Sequence, residues 1–128
     1  MSSDAESVVT AFFKGMAPPY ENCRETFNQF LTDDALWQNS GLPDCNGKDA
    51  CLAFLDSFAE KTGMAGLTVD MLAISSRGNQ VLTERLDSFQ NANGETIADL
   101  PLMGVLEVRD GKISLWRDYF DPRPLLGG

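Results

Sequence analysis

The sequence contains no histidine, and this absence excludes several common kinds of active site. Serine and cysteine nucleophiles are ordinarily activated by a histidine base. Many catalytic zinc sites and two-histidine iron sites need imidazole ligands. Acid–base chemistry in this chain must therefore come from carboxylates, or less easily from Lys, Tyr or Cys.

Paired cysteines, positive charge and long apolar runs are also scarce. The three cysteines, Cys23, Cys45 and Cys51, are odd in number and lack CxxC spacing, so no disulfide framework is expected. A net charge of −9 repels phosphate backbones, which argues against a nucleic-acid partner. No apolar run reaches the roughly 18 residues of a membrane helix, and the start, MSSDAE, lacks the basic residues of a signal peptide. We therefore expect a cytoplasmic protein without a membrane partner.

Length and composition predict one folded domain over residues 1–128. Hydrophobic residues make up 43% of the chain, which is enough for a core. A chain of this size buries roughly two thirds of the surface that it exposes when unfolded, so disorder is not expected.

Hydrophobic spacing predicts three helices followed mainly by strands. Apolar stripes with a 3–4 spacing predict helices at about 3–16, 20–30 and 48–62. Ser3 or Asp4 can cap the first helix, and Gly63 can end the third. Alternating patterns place strands at about 35–39, 67–76, 81–91, 96–109 and 112–120, with a turn at 32–34 and a bulge at Pro101. This order is typical of an α+β fold in which helices cover one face of a curved sheet and leave a one-ended pocket.

Charged residues occur at strand positions that share a face with apolar ones. Arg85 and Asp87 lie on one face of their strand, about 7 Å apart along it. Asp118 shares a face with Trp116 and Phe120, and burial of that face would desolvate its carboxyl group and raise its pKa. An arginine in a pocket stays charged and needs carboxylate partners, for which Asp87 and Asp118 are the candidates.

The strand pattern alone leaves other interpretations open. The opposite face of the last strand is also partly apolar, so periodicity does not decide which side is inward. An Arg–Asp pair on a strand is usually a surface ion pair, and a strand aspartate near a chain end is usually a solvated cap or turn residue. In the short first strand, Trp37 and Asn39 point the same way, and an asparagine in a pocket can orient a water molecule.

The stretches that carry these residues resemble the limonene-1,2-epoxide hydrolase family. The segment LTERLD at 82–87 is similar to the strand that carries the Arg-x-Asp of that family. The segments LMGV at 102–105, GKI at 111–113 and WRDYFD at 116–121 are similar to the last hairpin of that family. The segments WQN at 37–39 and LP at 42–43 are similar to its first strand and loop. The likeness runs from about residue 35 to residue 121.

This resemblance implies a fold and an activity. The fold is a nuclear transport factor 2-like cone, with a curved mixed or antiparallel sheet, helices over a deep apolar pocket, and usually a homodimeric assembly. The activity is cofactor-free and metal-free addition of water to an apolar epoxide, without a covalent intermediate, to give a vicinal diol. The resemblance implies that Asp118 is the base that deprotonates water and that Asp87 is the acid that protonates the epoxide oxygen. It also implies that Arg85 bridges the two carboxylates and that Asn39 binds the water.

Trp37 departs from the family pattern, which has tyrosine at that position. An indole N–H only donates, so Trp37 is compatible with a site in which it donates to a lone pair of the attacking water. Alignment with the family places five apolar residues in the pocket wall: Met64, Phe89, Leu100, Leu102 and Phe120.

Two other functions fit the same residues. One is a ketosteroid-isomerase-like or polyketide-cyclase-like proton-transfer enzyme, which would use Asp118 or Asp87 alone. The Arg-x-Asp element disfavours it, since such isomerases need a neutral donor to an enolate. The other is a non-catalytic small-molecule-binding module, which predicts that Arg85, Asp87 and Asp118 are exposed and apart.

Overall fold

The computed structural model describes residues 4–124, so Ser3, a predicted cap, lies outside the described residues. Three helices precede or interrupt the strands: α1 (Asp4–Lys14), α2 (Tyr20–Phe30) and α3 (Lys48–Thr62). The strands are β1 (Leu31–Asn39), β2 (Cys45–Asn46), β3 (Met64–Arg77), β4 (Gln80–Asn91), β5 (Thr96–Arg109) and β6 (Lys112–Tyr119). The α+β layout predicted from the sequence is confirmed.

The six strands form one mixed sheet in the order β2-β1-β6-β5-β4-β3. Strands β3 to β6 follow one another as antiparallel neighbours, joined by tight turns. β1 returns to lie parallel to β6, so the first and last strands of the chain are adjacent. This pairing brings residues 37–39 beside residues 116–118.

The helices bury their apolar stripes against the inner face of the sheet. Val9 and Phe12 of α1 and Phe27 of α2 have almost no exposed surface, because each lies on the stripe of its helix that meets the strands. Gly63 ends α3 as predicted, and it does so in the left-handed conformation that glycine favours. The three cysteines are buried and unpaired. Among residues 4–124, no helix is long and apolar enough to cross a membrane.

The predicted turn at residues 32–34 is wrong, because β1 already begins at Leu31. Leu31 is buried and pairs with Ile113 of β6, and the register shifts between Leu31 and Leu36. Asp33 and Asp34 therefore occupy an irregular part of the strand, where Lys48 and Arg109 pair with their carboxylates. The sequence reasoning also missed the two-residue strand β2.

The predicted bulge at Pro101 is also wrong. Pro101 pairs in regular register with Leu86, and the register shifts of β5 lie elsewhere, next to Phe89 and Glu107. β6 pairs with β5 only as far as Met103, so β5 has a single neighbouring strand at residue 101. A proline is tolerated there because the side without a neighbour needs no N–H donor.

Candidate active site

Three charged side chains lie on the inner, helix-covered face of the sheet. Arg85 and Asp87 come from β4, and Asp118 comes from β6. Their exposed fractions are 0%, 3% and 4%, respectively. This burial contradicts both the surface ion pair that the strand pattern left open and the exposed arrangement expected of a non-catalytic module. It also establishes that the face of β6 with Trp116 and Asp118 is the inward one.

A glycine in the intervening strand lets Asp118 reach Arg85. β5 separates β4 from β6, and its Gly104 pairs with Thr83 on one side and with Asp118 on the other. A Cβ atom at Gly104 would overlap Asp118 Oδ1 and lie 2.7 Å from Arg85 Nη1. The absence of a side chain at this position therefore provides the space in which the ion pair forms.

Arg85 uses all five of its N–H groups as donors. Nη2 donates to Asp118 Oδ2 at 2.8 Å and to Asp87 Oδ2 at 3.1 Å. Nε donates to Asp87 Oδ1 at 3.2 Å, and Nη1 donates to Asp118 Oδ1 at 3.2 Å and to Thr83 Oγ1 at 3.0 Å. The Thr83 hydroxyl donates in turn to Gly104 O at 3.1 Å. Two bidentate pairs thus fix one orientation of the guanidinium.

An aromatic ring from α1 covers the flat face of this guanidinium. Arg85 Cζ lies 4.0 Å from the centroid of the Phe13 ring, within the range of a cation–π contact. Phe13 is itself buried. The contact joins α1 to the charged cluster and keeps bulk water away from it.

Burial is the largest influence on the titration of Asp118. It raises the pKa of Asp118 to about 6, against the opposing effects of the Arg85 charge and hydrogen bonds and of a hydrogen bond from Trp116. Burial also disfavours the charge on Arg85, but the attraction of Asp118 and Asp87 outweighs it, and the pKa of Arg85 is raised. Arg85 is therefore always charged, whereas Asp118 can exchange a proton near neutral pH.

Trp116 contacts the acidic cluster directly, which the sequence reasoning missed. Its Nε1 donates to Asp118 Oδ2 at 2.9 Å, and both residues are buried. A tryptophan on the inward face of a strand usually belongs to the hydrophobic core, so the residue type gives no sign of a hydrogen bond to Asp118. The only signal in the sequence is the spacing of two residues, which puts Trp116 and Asp118 on one face.

The parallel pairing of β1 with β6 places Trp37 and Asn39 beside this cluster. Trp37 pairs with Trp116 and Asn39 with Asp118. The two indole rings stack with centroids 4.5 Å apart and planes 10° from parallel. Trp37 is buried, and its Nε1 has no hydrogen-bond partner within residues 4–124. A buried N–H without a partner is costly, so this group calls for an acceptor such as water or a ligand.

These side chains border a cavity of about 60 Å³, which has room for several water molecules. Its carboxylate and amide lining comes from Asp87, Asp118 and Asn39, while Arg85 contacts the carboxylates and has no exposed surface. The structure places all five predicted wall residues around it: Met64, Phe89, Leu100, Leu102 and Phe120. Sequence reasoning missed seven other lining residues, because it placed Leu42 in a loop and gave the rest no role in a pocket: Phe27, Leu42, Phe54, Leu55, Phe58, Leu67 and Trp116.

Comparison with known proteins gives a family match over almost the whole chain. A family model described as the limonene-1,2-epoxide hydrolase catalytic domain matches residues 3–128. Epoxide hydrolase EphG of Mycobacterium tuberculosis (strain ATCC 25618 / H37Rv) is 34% identical over 104 residues, which cover 81% of this chain and 66% of that protein. The matched part thus spans just under two thirds of the length of this curated relative.

Solved structures share the fold. A structure described as an M. tuberculosis LEH-like epoxide hydrolase has a TM-score of 0.74 at 30% identity, covering 97% of this chain and 87% of that one. A putative SnoaL-like polyketide cyclase from Jannaschia sp. CCS1 has a TM-score of 0.75 at 14% identity, covering 96% and 89%. The second is a likeness of fold alone. The nuclear transport factor 2-like fold predicted from the sequence is confirmed.

Proposed function

This chain belongs to the limonene-1,2-epoxide hydrolase family, and we propose that it is an epoxide hydrolase that converts an apolar epoxide into a vicinal diol. The observation that carries the proposal is the buried cluster of Asp118, Arg85 and Asp87 beside an apolar cavity. Such a cluster supplies a base and an acid in a site that bulk water does not fill.

Asp118 and Asp87 divide the two proton transfers between them. Asp118 takes a proton from a bound water molecule, whose oxygen attacks a carbon of the epoxide ring as the C–O bond breaks. Asp87 gives its proton to the departing oxygen, so water and epoxide combine into the diol in one step without a covalent intermediate. The proton on Asp118 then returns to Asp87 by way of Arg85 or solvent.

The buried charges favour the protonation state that this reaction needs. Two ionised carboxylates and one guanidinium would leave a net negative charge in a buried site, whereas one retained proton makes the cluster neutral. Both carboxyl groups accept from Arg85 Nη2, so one guanidinium nitrogen links the proposed acid to the proposed base. With its pKa at about 6, Asp118 is mostly ionised near pH 7, as its proposed role as the base requires.

Asn39 and Trp37 hold the attacking water. The Asn39 side-chain carbonyl accepts one water proton while Asp118 takes the other, and the Trp37 N–H donates to one oxygen lone pair, which leaves the second lone pair free to attack. The register supports this assignment, because neighbouring strands lie about 4.8 Å apart and Asn39 is the partner of Asp118. The unpaired Trp37 Nε1 supports it as well.

The wall residues Met64, Phe89, Leu100, Leu102 and Phe120 favour an apolar substrate. Opening a strained three-membered ring requires a proton and a nucleophile but no change of oxidation state, so we propose a reaction without cofactor. On the net charge of −9 and the composition, we further propose a cytoplasmic location and no nucleic-acid or membrane partner.

We also propose that the chain forms a homodimer through the outer face of the sheet. Four large apolar side chains are exposed there on four adjacent strands: Leu72, Leu82, Met103 and Tyr119. The same face carries Glu84, Glu107 and Arg117, and charges of both signs allow one face to complement a second copy of itself about a two-fold axis.

A screen of cyclic and terminal epoxides, with diol detection and product stereochemistry, tests the proposed activity. The same enzyme is assayed for isomerisation of a 3-ketosteroid, the reaction of the alternative proton-transfer enzyme. Diol formation without isomerisation supports the proposal. Isomerisation without diol formation would replace it with the alternative.

A further inference from the structure

We propose that Trp116 is a positioning residue that holds the Asp118 carboxylate against Arg85 and stabilises its ionised form. The inference rests on the proposed role of Asp118 as the base. It assigns a function to an indole that otherwise reads as part of the hydrophobic core.

The hydrogen bonds of Asp118 carry the first step of the argument. Oδ2 accepts from Trp116 Nε1 at 2.9 Å and from Arg85 Nη2 at 2.8 Å, and Oδ1 accepts from Arg85 Nη1 at 3.2 Å. The guanidinium from β4 fixes the carboxylate along one edge, and the indole adds a donor from β6, the strand that carries Asp118 itself. A donor to a carboxylate oxygen favours the charged form of the acid, so the Trp116 hydrogen bond lowers the pKa that burial raises.

The indole of Trp116 is itself held firmly enough to position another group. It stacks on Trp37 with ring centroids 4.5 Å apart, and it packs in T-shaped geometry with Phe12 and Phe27, whose ring centroids lie 5.0 Å and 5.5 Å away. Side chains packed on several sides keep one rotamer. The direction of the N–H is therefore fixed before a substrate binds.

Among the described residues, the charges that act on the titration of Asp118 are those of Arg85 and Asp87 alone. β4 presents Arg85 and Asp87 to Asp118, and these are the two charges that act on its titration. β5 presents Gly104, and β1 presents Asn39, both of which are uncharged. Removing the Trp116 donor therefore has a predictable sign, because the remaining influences on Asp118 stay in place.

Trp116→Phe keeps an aromatic ring and removes the donor. We expect the acidic limb of the pH profile of kcat/KM to move up by about one pH unit, since the ionised base becomes harder to form. At pH 5 this corresponds to a loss of about tenfold, and the loss shrinks as the pH rises through the limb. A matched control is Trp37→Phe, which removes the stacked indole but no hydrogen bond to Asp118, and should leave the midpoint of this limb in place.

A carboxyl ¹³C titration of Asp118 without substrate, with its signal assigned by Asp118→Asn, separates this inference from the proposed activity. The midpoint should rise in Trp116→Phe whether or not an epoxide is turned over. If the phenylalanine variant fails to fold, the tryptophan analogue in which sulfur replaces the indole N–H keeps the bicyclic shape and takes its place. An unchanged Asp118 midpoint, or an activity loss equal at every pH, would overturn the positioning role.

Discussion

Each face of the sheet carries side chains that depart from the usual distribution of polarity. On the inner face, Arg85, Asp87 and Asp118 are almost completely buried, whereas on the outer face Leu82 and Met103 are about half exposed. Burying charge and exposing large apolar side chains are both unfavourable for a lone folded domain. These departures are the observations behind the two proposals, acid–base chemistry on the inner face and association on the outer face.

The largest expected effect comes from the inner carboxyl groups. Asp118→Asn and Asp87→Asn each remove a proton-transfer group while keeping the shape of the side chain, so each should lower kcat by about 10²–10⁴-fold. Circular dichroism and thermal melting should indicate a folded protein. Glu84→Gln is the matched control, because Glu84 precedes Arg85 on the same strand but faces outward. Full diol formation by either aspartate variant would reject the assignment.

The second effect concerns stability. Arg85→Met leaves two buried carboxyl groups without their cation and should lower the free energy of unfolding at pH 8 by about 3–5 kcal/mol, measured in urea. The outer-face control, Arg117→Met, should cost no more than about 1 kcal/mol.

The pH dependence of the Arg85→Met variant has a defined sign. The Arg85 charge lowers the pKa of Asp118, so its loss raises that pKa further above the unfolded value. The folded state then binds a proton more tightly than the unfolded chain, and the destabilisation should shrink as the pH falls from 8 towards 5. A destabilisation that grew on acidification would contradict the account.

A smaller effect is expected at Gly104 of β5, the strand that lies between Arg85 on β4 and Asp118 on β6. Gly104→Ala puts a methyl group into the space between Asp118 Oδ1 and Arg85 Nη1. Displacing these groups by a fraction of an ångström to one ångström should lower kcat by about 10–100-fold while the chain stays folded. Steady-state kinetics with a melting curve measures both, and unchanged kcat would mean that the cluster tolerates the shift.

The smallest catalytic effect is expected on the outer face. Met103→Lys adds a charge at the centre of the proposed dimer surface, and light scattering should detect a shift from dimer to monomer. Activity per chain should change little. Leu102→Lys, one residue earlier and inward, should instead abolish folding or activity. A dimer that persists in Met103→Lys would place the interface elsewhere.

Local patterns were sufficient for much of the fold. The bounds of α2, α3 and β5 match the predicted ranges, because each has a clear apolar stripe or alternation with a proline or glycine close to at least one end. Long-range pairing was not predictable in this way. That β1 begins at Leu31 and lies beside β6 depends on contacts with residues more than 70 positions away, which leave no local period.

The candidate site was predictable only in part for the same reason. Arg85, Asp87 and Asp118 stood out as charges in apolar strands, and the structure brings them together. Trp116 did not stand out, because a buried indole has the same sequence signature whether or not its N–H meets a carboxylate. The strand position suggested that Asn39 could orient a water molecule, but the proposed role of Trp37 came only from the resemblance to a family.

A single-turnover reaction in H₂¹⁸O with enzyme in excess over epoxide tests the central claim most directly. If Asp118 activates water beside Arg85 and Asp87, every diol molecule from the first turnover carries one ¹⁸O atom, and the protein gains none. An unlabelled first-turnover diol, with ¹⁸O appearing later in an enzyme carboxyl group, would establish a covalent intermediate and contradict the account.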